Sequence, residues 1–247
     1  MAVTNHESGT RVDEIAERIY RISTPFPPQT FPGGFTFNQF LIDDDEPLLF
    51  HTGLRRMFPL VREAVASVLP LSRLRHVSFS HFEADECGAL NEFLAAAPNA
   101  LPLCGELAAA VSVGDVADRP PQTLADGAER SLGRHSVRFL HTPHLPHAWE
   151  CGYLFETRTK TLLCGDLFTR GGHQHEALVE SDILGPSEGA LGQFDYFARA
   201  PRSRADLERL AALQPRTLAC MHGSSWRGDG AALLRALADS LERMRPV

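Results

Sequence analysis

The sequence predicts an α/β chain built as a sandwich of two sheets with helices on the outside. Strand-like and helix-like stretches interleave through both halves of the chain, which is the pattern of layered α/β architecture. The chain has 247 residues, 43% of them hydrophobic, enough for a sizeable core. No break in composition marks a linker, so a single domain over residues 1–247 is expected.

Taken in order, residues 11–24 alternate well enough toward their end to form a first strand. Residues 37–50 form a second pairing, turned by Asp43-Asp44-Asp45-Glu46-Pro47, an acidic hairpin tip whose carboxylates keep it solvated. Between them, residues 24–40 are a Pro/Gly loop carrying Phe26, Phe31, Phe35, Phe37 and Phe40. So many aromatic rings need a place of burial, either as an apolar lid over a site or as a plug in the core. Helical spacing of Met57, Leu60, Val61, Val65 and Val68 predicts a helix over 55–69 that Pro70 ends, and a buried strand follows over 74–80. Residues 87–97 and 106–113 read as helices, 137–141 as a strand, and 151–156 with 160–164 as an antiparallel pair around Thr157-Arg158-Thr159. Residues 114–134 give weak signals, and a mixed segment follows Gly171-Gly172. A helix at 204–213, a strand at 217–221 and an amphipathic helix at 231–244 complete the chain.

The net charge of −7, without a Lys/Arg cluster, argues against a nucleic-acid partner. No apolar run reaches membrane-span length and no signal peptide is recognised, so no membrane partner is expected and the cytoplasm is the expected location. The five cysteines are odd in number, widely spread and without a Cys-x-x-Cys pair, which suggests neither a disulfide framework nor a thiolate metal site. Cys87 and Cys151 fall close to candidate ligands and are read as packing.

Chemistry gathers where strands end. His81-Phe82-Glu83-Ala84-Asp85-Glu86 places three ligand-type side chains at alternate positions directly after the predicted strand. Alone, the hexapeptide is either half of a metal site or a solvated acidic turn. Three more strand ends carry residues of the same kind: His147 after Thr142-Pro143-His144-Leu145-Pro146, Asp166 after Leu163-Cys164-Gly165, and His222 in Met221-His222-Gly223. Loops at one rim of a sheet converge in space, so four of them with one chemistry point to a shared metal centre.

This order of motifs resembles the metallo-β-lactamase fold and, more narrowly, the diiron domain of flavodiiron proteins and stand-alone oxygen-binding diiron proteins. The resemblance runs from about Asn38 to the C-terminus and implies an αββα sandwich of the metallo-β-lactamase type. It further implies two iron ions: one held by His81, Glu83 and His147, the other by Asp85 and His222, with Asp166 bridging. The spacing of nineteen residues between His147 and Asp166 fits the resemblance better than His141 or His144, which become supporting residues. Glu83 is the most specific element, because hydrolases of this fold usually have histidine there. Two positions depart from the pattern. Glu86 stands where a histidine ligand is usual and is carried as a seventh candidate ligand, while His51-Thr52-Gly53 replaces the usual Asp-Thr/Ser-Gly, so an aspartate's supporting role is lost or transferred.

Carboxylates at Glu83, Asp85, Asp166 and Glu86 against three imidazoles make an oxygen-rich set that suits iron or manganese better than zinc. The function implied is a non-heme diiron protein that binds dioxygen or another small diatomic such as nitric oxide, either as an oxygen sensor or carrier or as an oxidoreductase component that reduces it. Nothing in the chain reads as a flavin domain, so electrons are expected from a separate donor protein, and a homodimer is the family-based expectation. The alternative is a dinuclear zinc or manganese hydrolase of the same superfamily, with a metal-activated hydroxide as nucleophile. His173 and His175, beside Gly171-Gly172, either contact a bound ligand or are exposed loop residues.

Overall fold

In the computed structural model, which describes residues 2–244, the first half of the chain forms one sheet and the second half another. Strands β1 (Ala2–Asn5), β2 (Thr10–Ala16), β3 (Ile19–Phe26), β4 (Phe35–Ile42) and β5 (Leu48–Phe50) pair antiparallel in sequence order. Helix α1 (Phe58–Ala66) carries the chain to β6 (His76–Ser78), which joins β5 in parallel. Helices α2 (Ala84–Cys87) and α3 (Leu90–Ala96) lead to β7 (Leu101–Gly105). A helical stretch of α4 (Glu106–Ala108), a π-helical turn (Ala109–Val113) and α5 (Gly114–Val116) leads to β8 (Gln122–Leu124), closing an eight-stranded sheet in the order β1 to β8.

The second sheet contains β9 (Glu129–Ser131), β10 (Ser136–His141), β11 (Gly152–Glu156), β12 (Thr161–Leu163) and β13 (Leu178–Val179). After α6 (Leu184–Phe194) and α7 (Ser203–Ala212) come β14 (Thr217–Ala219), β15 (Ser225–Arg227) and α8 (Gly230–Arg243). Its strand order is β13-β15-β14-β12-β11-β10-β9.

Side-chain alternation explains the layers. On β4 and β5, Phe40, Ile42, Leu48 and Phe50 point one way and meet Val137, Phe139, Leu154 and Leu163 of the other sheet. Leu41 and Leu49 point the other way, onto Val61 and Val65 of α1 and Phe93 and Leu94 of α3. Tyr153, Phe155, Leu162 and Leu218 cover the outer face of the second sheet, beneath Leu207 and Leu210 of α7 and Leu234, Leu237 and Leu241 of α8. Helix α8 starts where the Asp229 carboxylate accepts the Ala232 amide at 3.0 Å and presents its apolar positions at helical spacing. The result is the αββα sandwich of the metallo-β-lactamase type. Among the described residues, no helix is long and apolar enough to cross a membrane.

Several local expectations change. Residues 11–24 form a hairpin rather than one strand, because Arg18 turns the chain in the left-handed region (φ 54°) and its amide is accepted by Glu14 Oε1 at 2.7 Å. The acidic tip is not simply solvated: Asp43 and Asp44 are buried, Arg18 Nη2 donates to Asp43 Oδ2 at 2.6 Å, and the His135 amide donates to Asp44 Oδ2 at 2.6 Å. That last bond ties the β4–β5 turn to the second sheet. The helix expected over 87–97 is α3, confined to 90–96 and preceded by the separate turn of α2 at 84–87, and the weak stretch over 114–134 contributes β8 and β9. Helix α6 escapes a propensity reading because Gly185, Pro186, Gly189 and Gly192 are poor helix formers; burial of Ala190 and Leu191 holds it.

The β11–β12 turn yields a pH prediction. Burial opposes a charge on Glu156, but the His135 imidazole, the Thr159 hydroxyl and the Thr159 and Arg158 amides all face its carboxylate and outweigh burial, lowering its pKa. A lowered carboxylate contributes stability that is present above the unfolded value, ~4.3, and is lost as pH falls through the folded one. Glu156→Gln is expected to melt below the parent at pH 7 and to approach it as pH drops under ~4.3. Equal gaps in melting temperature at both pH values would contradict this.

Candidate metal centre

Strands β6, β10, β12 and β14 deliver their C-terminal loops to one rim, and each loop brings donors. His81 and Glu83 follow β6, Asp85 sits in the first turn of α2, His147 lies beyond β10, Asp166 follows β12 and His222 follows β14. His81, Glu83, His147 and Asp166 each offer one ligand atom, all within 4.8 Å of one another. Glu83 Oε2 lies 2.7 Å from His81 Nε2 and 3.2 Å from His147 Nε2, and Asp166 Oδ2 lies 3.8 Å from each imidazole.

The other oxygen of Asp166 faces a second group. Asp166 Oδ1 lies 3.1 Å from His222 Nε2, which in turn lies 3.4 Å from Asp85 Oδ2. The single carboxylate therefore divides two donor groups, His81/Glu83/His147 on one side and Asp85/His222 on the other. Six of the seven candidate ligands are brought together.

Glu86 is not among them. Its carboxylate is turned away and fully buried, where Oε2 accepts the amides of Ser80 at 3.0 Å and His81 at 2.8 Å and the Ser80 hydroxyl donates to both oxygens. Glu86 Oε1 lies 3.3 Å from His81 Nδ1 and 3.4 Å from His51 Nε2. The structure does not bring this seventh candidate to the cluster: adjacent residues of one helical turn point about 100° apart, so Asp85 faces the cluster and Glu86 the interior.

The backbone fixes the imidazoles. His222 Nδ1 donates to Thr36 O at 2.7 Å and His147 Nδ1 to Tyr196 O at 2.9 Å. With Nδ1–H so placed, a neutral ring aims the lone pair of Nε2 at carboxylate oxygens. Lone pairs facing lone pairs repel unless each ring takes a second proton or a cation sits between them. Asp166 Oδ1 is also buried without accepting a hydrogen bond. The donor set thus fits two cations, and proton uptake is its substitute. Burial opposes a charge on His222, yet Asp166 and Asp85 raise its pKa to about 10. His81 and His147 are raised as well, against burial, by Glu86 and Glu83 respectively, while hydrogen bonds from His147 and His81 push Glu83 far below the carboxylate range.

Residues not singled out in the sequence hold this rim in place. Asn38 Nδ2 donates to Cys220 O and Gly223 O, both at 2.9 Å, Arg21 Nη2 donates to Gly223 O at 2.8 Å, and Thr36 Oγ1 accepts the Gly223 amide at 2.8 Å. The one available signal was Asn38-Gln39 within the otherwise apolar run of β4. A pocket of about 220 Å³ opens beside the cluster, lined by Phe31, Phe35, Phe37, Thr169, Phe194 and Tyr196 with every donor but His81. The Phe35 ring lies 4.2 Å from that of His222 and stacks on Phe31 at 4.8 Å. Phe40 faces the inter-sheet core instead, so the aromatic segment serves both as pocket wall and as core.

His141 and His144 stay outside the cluster, His141 Nε2 lying 3.4 Å from Trp149 O. His173 and His175 line a different cleft, of 420 Å³, with Gly9 and Arg11. Cys87 and Cys151 are buried free thiols.

The fold and the site define a class: an αββα sandwich with a rim cluster of imidazoles and carboxylates in two groups joined by one aspartate. Residues 35–223 match the family described as ODP family beta lactamase, and the chain belongs to that family. The rubredoxin-oxygen oxidoreductase of Megalodesulfovibrio gigas is 26% identical over 208 residues, which cover 80% of this chain and 50% of that protein. Among solved structures, rubredoxin oxygen:oxidoreductase from Desulfovibrio gigas superposes with a TM-score of 0.82 at 20% identity, covering 96% of this chain and 63% of that one. The metal-soaked Flv1 flavodiiron core from Synechocystis sp. gives a TM-score of 0.82 at 22% identity, covering 94% and 61%. The chain spans 35–50% of the length of the curated relatives it matches over 208 residues.

Proposed function

We propose that the chain is a non-heme dinuclear iron protein of the cytoplasm that binds dioxygen, or another small diatomic, and reduces it when a separate protein supplies electrons. The observation that carries this reading is Asp166, whose two oxygens serve two donor groups of unlike composition. Glu83, in place of the histidine usual in hydrolases of the fold, makes the set oxygen-rich and favours a redox metal over zinc. The names of its relatives, an oxygen oxidoreductase and a flavodiiron core, point the same way.

Two iron ions held by His81, Glu83, His147, Asp85, His222 and Asp166 would supply one electron each to a bound diatomic. The chain's own residues supply the rest. Thr36 and Tyr196 carbonyls hold the Nδ1 protons of His222 and His147 and keep both Nε2 atoms directed inward. Phe31, Phe35 and Phe37 give the pocket an apolar wall that favours a small uncharged ligand and disfavours bulk water.

Protein purified without oxygen and loaded with ferrous iron is expected to take up two ions per chain and to develop a new visible absorption band on exposure to oxygen. Iron-loaded protein that shows neither a new band nor a change of iron oxidation state would sink the oxygen reading. Zinc-supported ester hydrolysis in its place would favour the hydrolase.

A further inference from the structure

We propose that Glu86, backed by His51, is the positioning residue of His81 and thereby sets the affinity of one of the two ion positions; the inference rests on the two-metal reading. Both side chains are fully buried, and neither belongs to the donor cluster. The carboxylate is fixed from one side, since Oε2 accepts the amides of Ser80 and His81. Oε1, which accepts the Ser80 hydroxyl at 2.6 Å, lies between two imidazoles, 3.3 Å from His81 Nδ1 and 3.4 Å from His51 Nε2, and Ser80 Oγ itself lies 3.1 Å from His81 Nδ1. His51 has no ordinary hydrogen bond at either ring nitrogen, so Glu86 is the group its ring faces. The loop that carries His51 also clamps α2: the Thr52 amide donates to Glu86 O at 2.6 Å, and Thr52 Oγ1 accepts the Ala89 amide at 3.1 Å.

An ionised carboxylate only accepts, and by taking the Ser80 proton Glu86 makes the Ser80 hydroxyl an acceptor toward His81 as well, so the proton of His81 sits on Nδ1 and the Nε2 lone pair is left for an ion. His147 and His222 obtain the same tautomer from the Tyr196 and Thr36 carbonyls, which no side-chain substitution alters. His81 alone depends on a side chain for this. In the variant Glu86→Gln the amide oxygen remains with the Ser80 and His81 amides, and its N–H group turns to His81 Nδ1. The ring then carries its proton on Nε2, where it blocks ligation. Only the position served by His81, Glu83 and His147 is weakened; that of Asp85 and His222 keeps its donors.

Cobalt(II) titration of the full chain after chelator treatment, followed by visible absorption and calorimetry, tests the proposal. The parent is expected to bind two equivalents per chain, and Glu86→Gln to bind one of them unchanged while the other weakens about 10- to 100-fold. Glu86→Asp, which keeps an acceptor, is expected to retain both steps, and it answers the question should the glutamine variant misfold. Two unchanged steps in Glu86→Gln, or equal weakening of both, overturn the role of Glu86 alone. Failure of the parent to bind cobalt overturns the metal reading and this inference with it.

Discussion

Asp166→Ala is expected to reduce metal uptake from two ions per chain to one at most, with affinity lowered by more than about 100-fold, beyond the loss typical of outer-layer partners. The reason is geometric. Among the described residues, Asp166 is the one whose two oxygens reach both groups, Oδ2 lying 3.8 Å from His81 Nε2 and His147 Nε2, and Oδ1 lying 3.1 Å from His222 Nε2. Without it the His81/Glu83/His147 group keeps three donors and the Asp85/His222 group only two. The second group is left the weaker of the pair. Elemental analysis of iron-loaded parent and variant, with circular dichroism to establish that both are folded, decides the matter. Two ions retained by the variant would remove Asp166 from the bridging position.

Phe40→Ala is expected to cost about 3–5 kcal/mol, the usual range for truncating a fully buried aromatic ring. In a domain of this size that lowers the melting temperature by roughly 6–20 °C. Phe40 is fully buried in the layer where both sheets meet, with Ile42, Phe50, Phe139 and Leu154. The consequence reaches the rim, because His81, Glu83 and Asp85 follow the first sheet whereas His147, Asp166 and His222 follow the second. Ion binding and inter-sheet packing are therefore linked, and added metal should recover part of the lost melting temperature. Thermal melts with and without metal measure both effects; a loss under about 1 kcal/mol would mean that this layer does not hold the sheets together.

Much of the architecture was legible because burial leaves a periodic trace. The apolar faces of α1 and α8 and the hairpin of β11 and β12 follow directly from spacing and turn residues. What lacked a trace was structure held from a distance. Helix α6 contains three glycines and a proline, and only its packing beside α8 makes it helical. Asp43 and Asp44 look like a wet turn until Arg18 and the His135 amide, distant in sequence, arrive to bury them.

At the centre itself, the sequence by itself determined the types of donor and their order along the chain: His81, Glu83, Asp85, His147, Asp166, His222 at the ends of strands. Chemistry of that kind is readable because each donor type is encoded locally. Only the tertiary structure decided direction. Asp85 and Glu86 are neighbours with interchangeable chemistry, and they part because the Ser80 and His81 amides capture one carboxylate while His222 faces the other. Behind the donors, Glu86 Oε1 lies 3.3 Å from His81 Nδ1 and 3.4 Å from His51 Nε2. Spacing cannot disclose such a contact, because residues 51 and 86 meet only after β5 and β6 have paired.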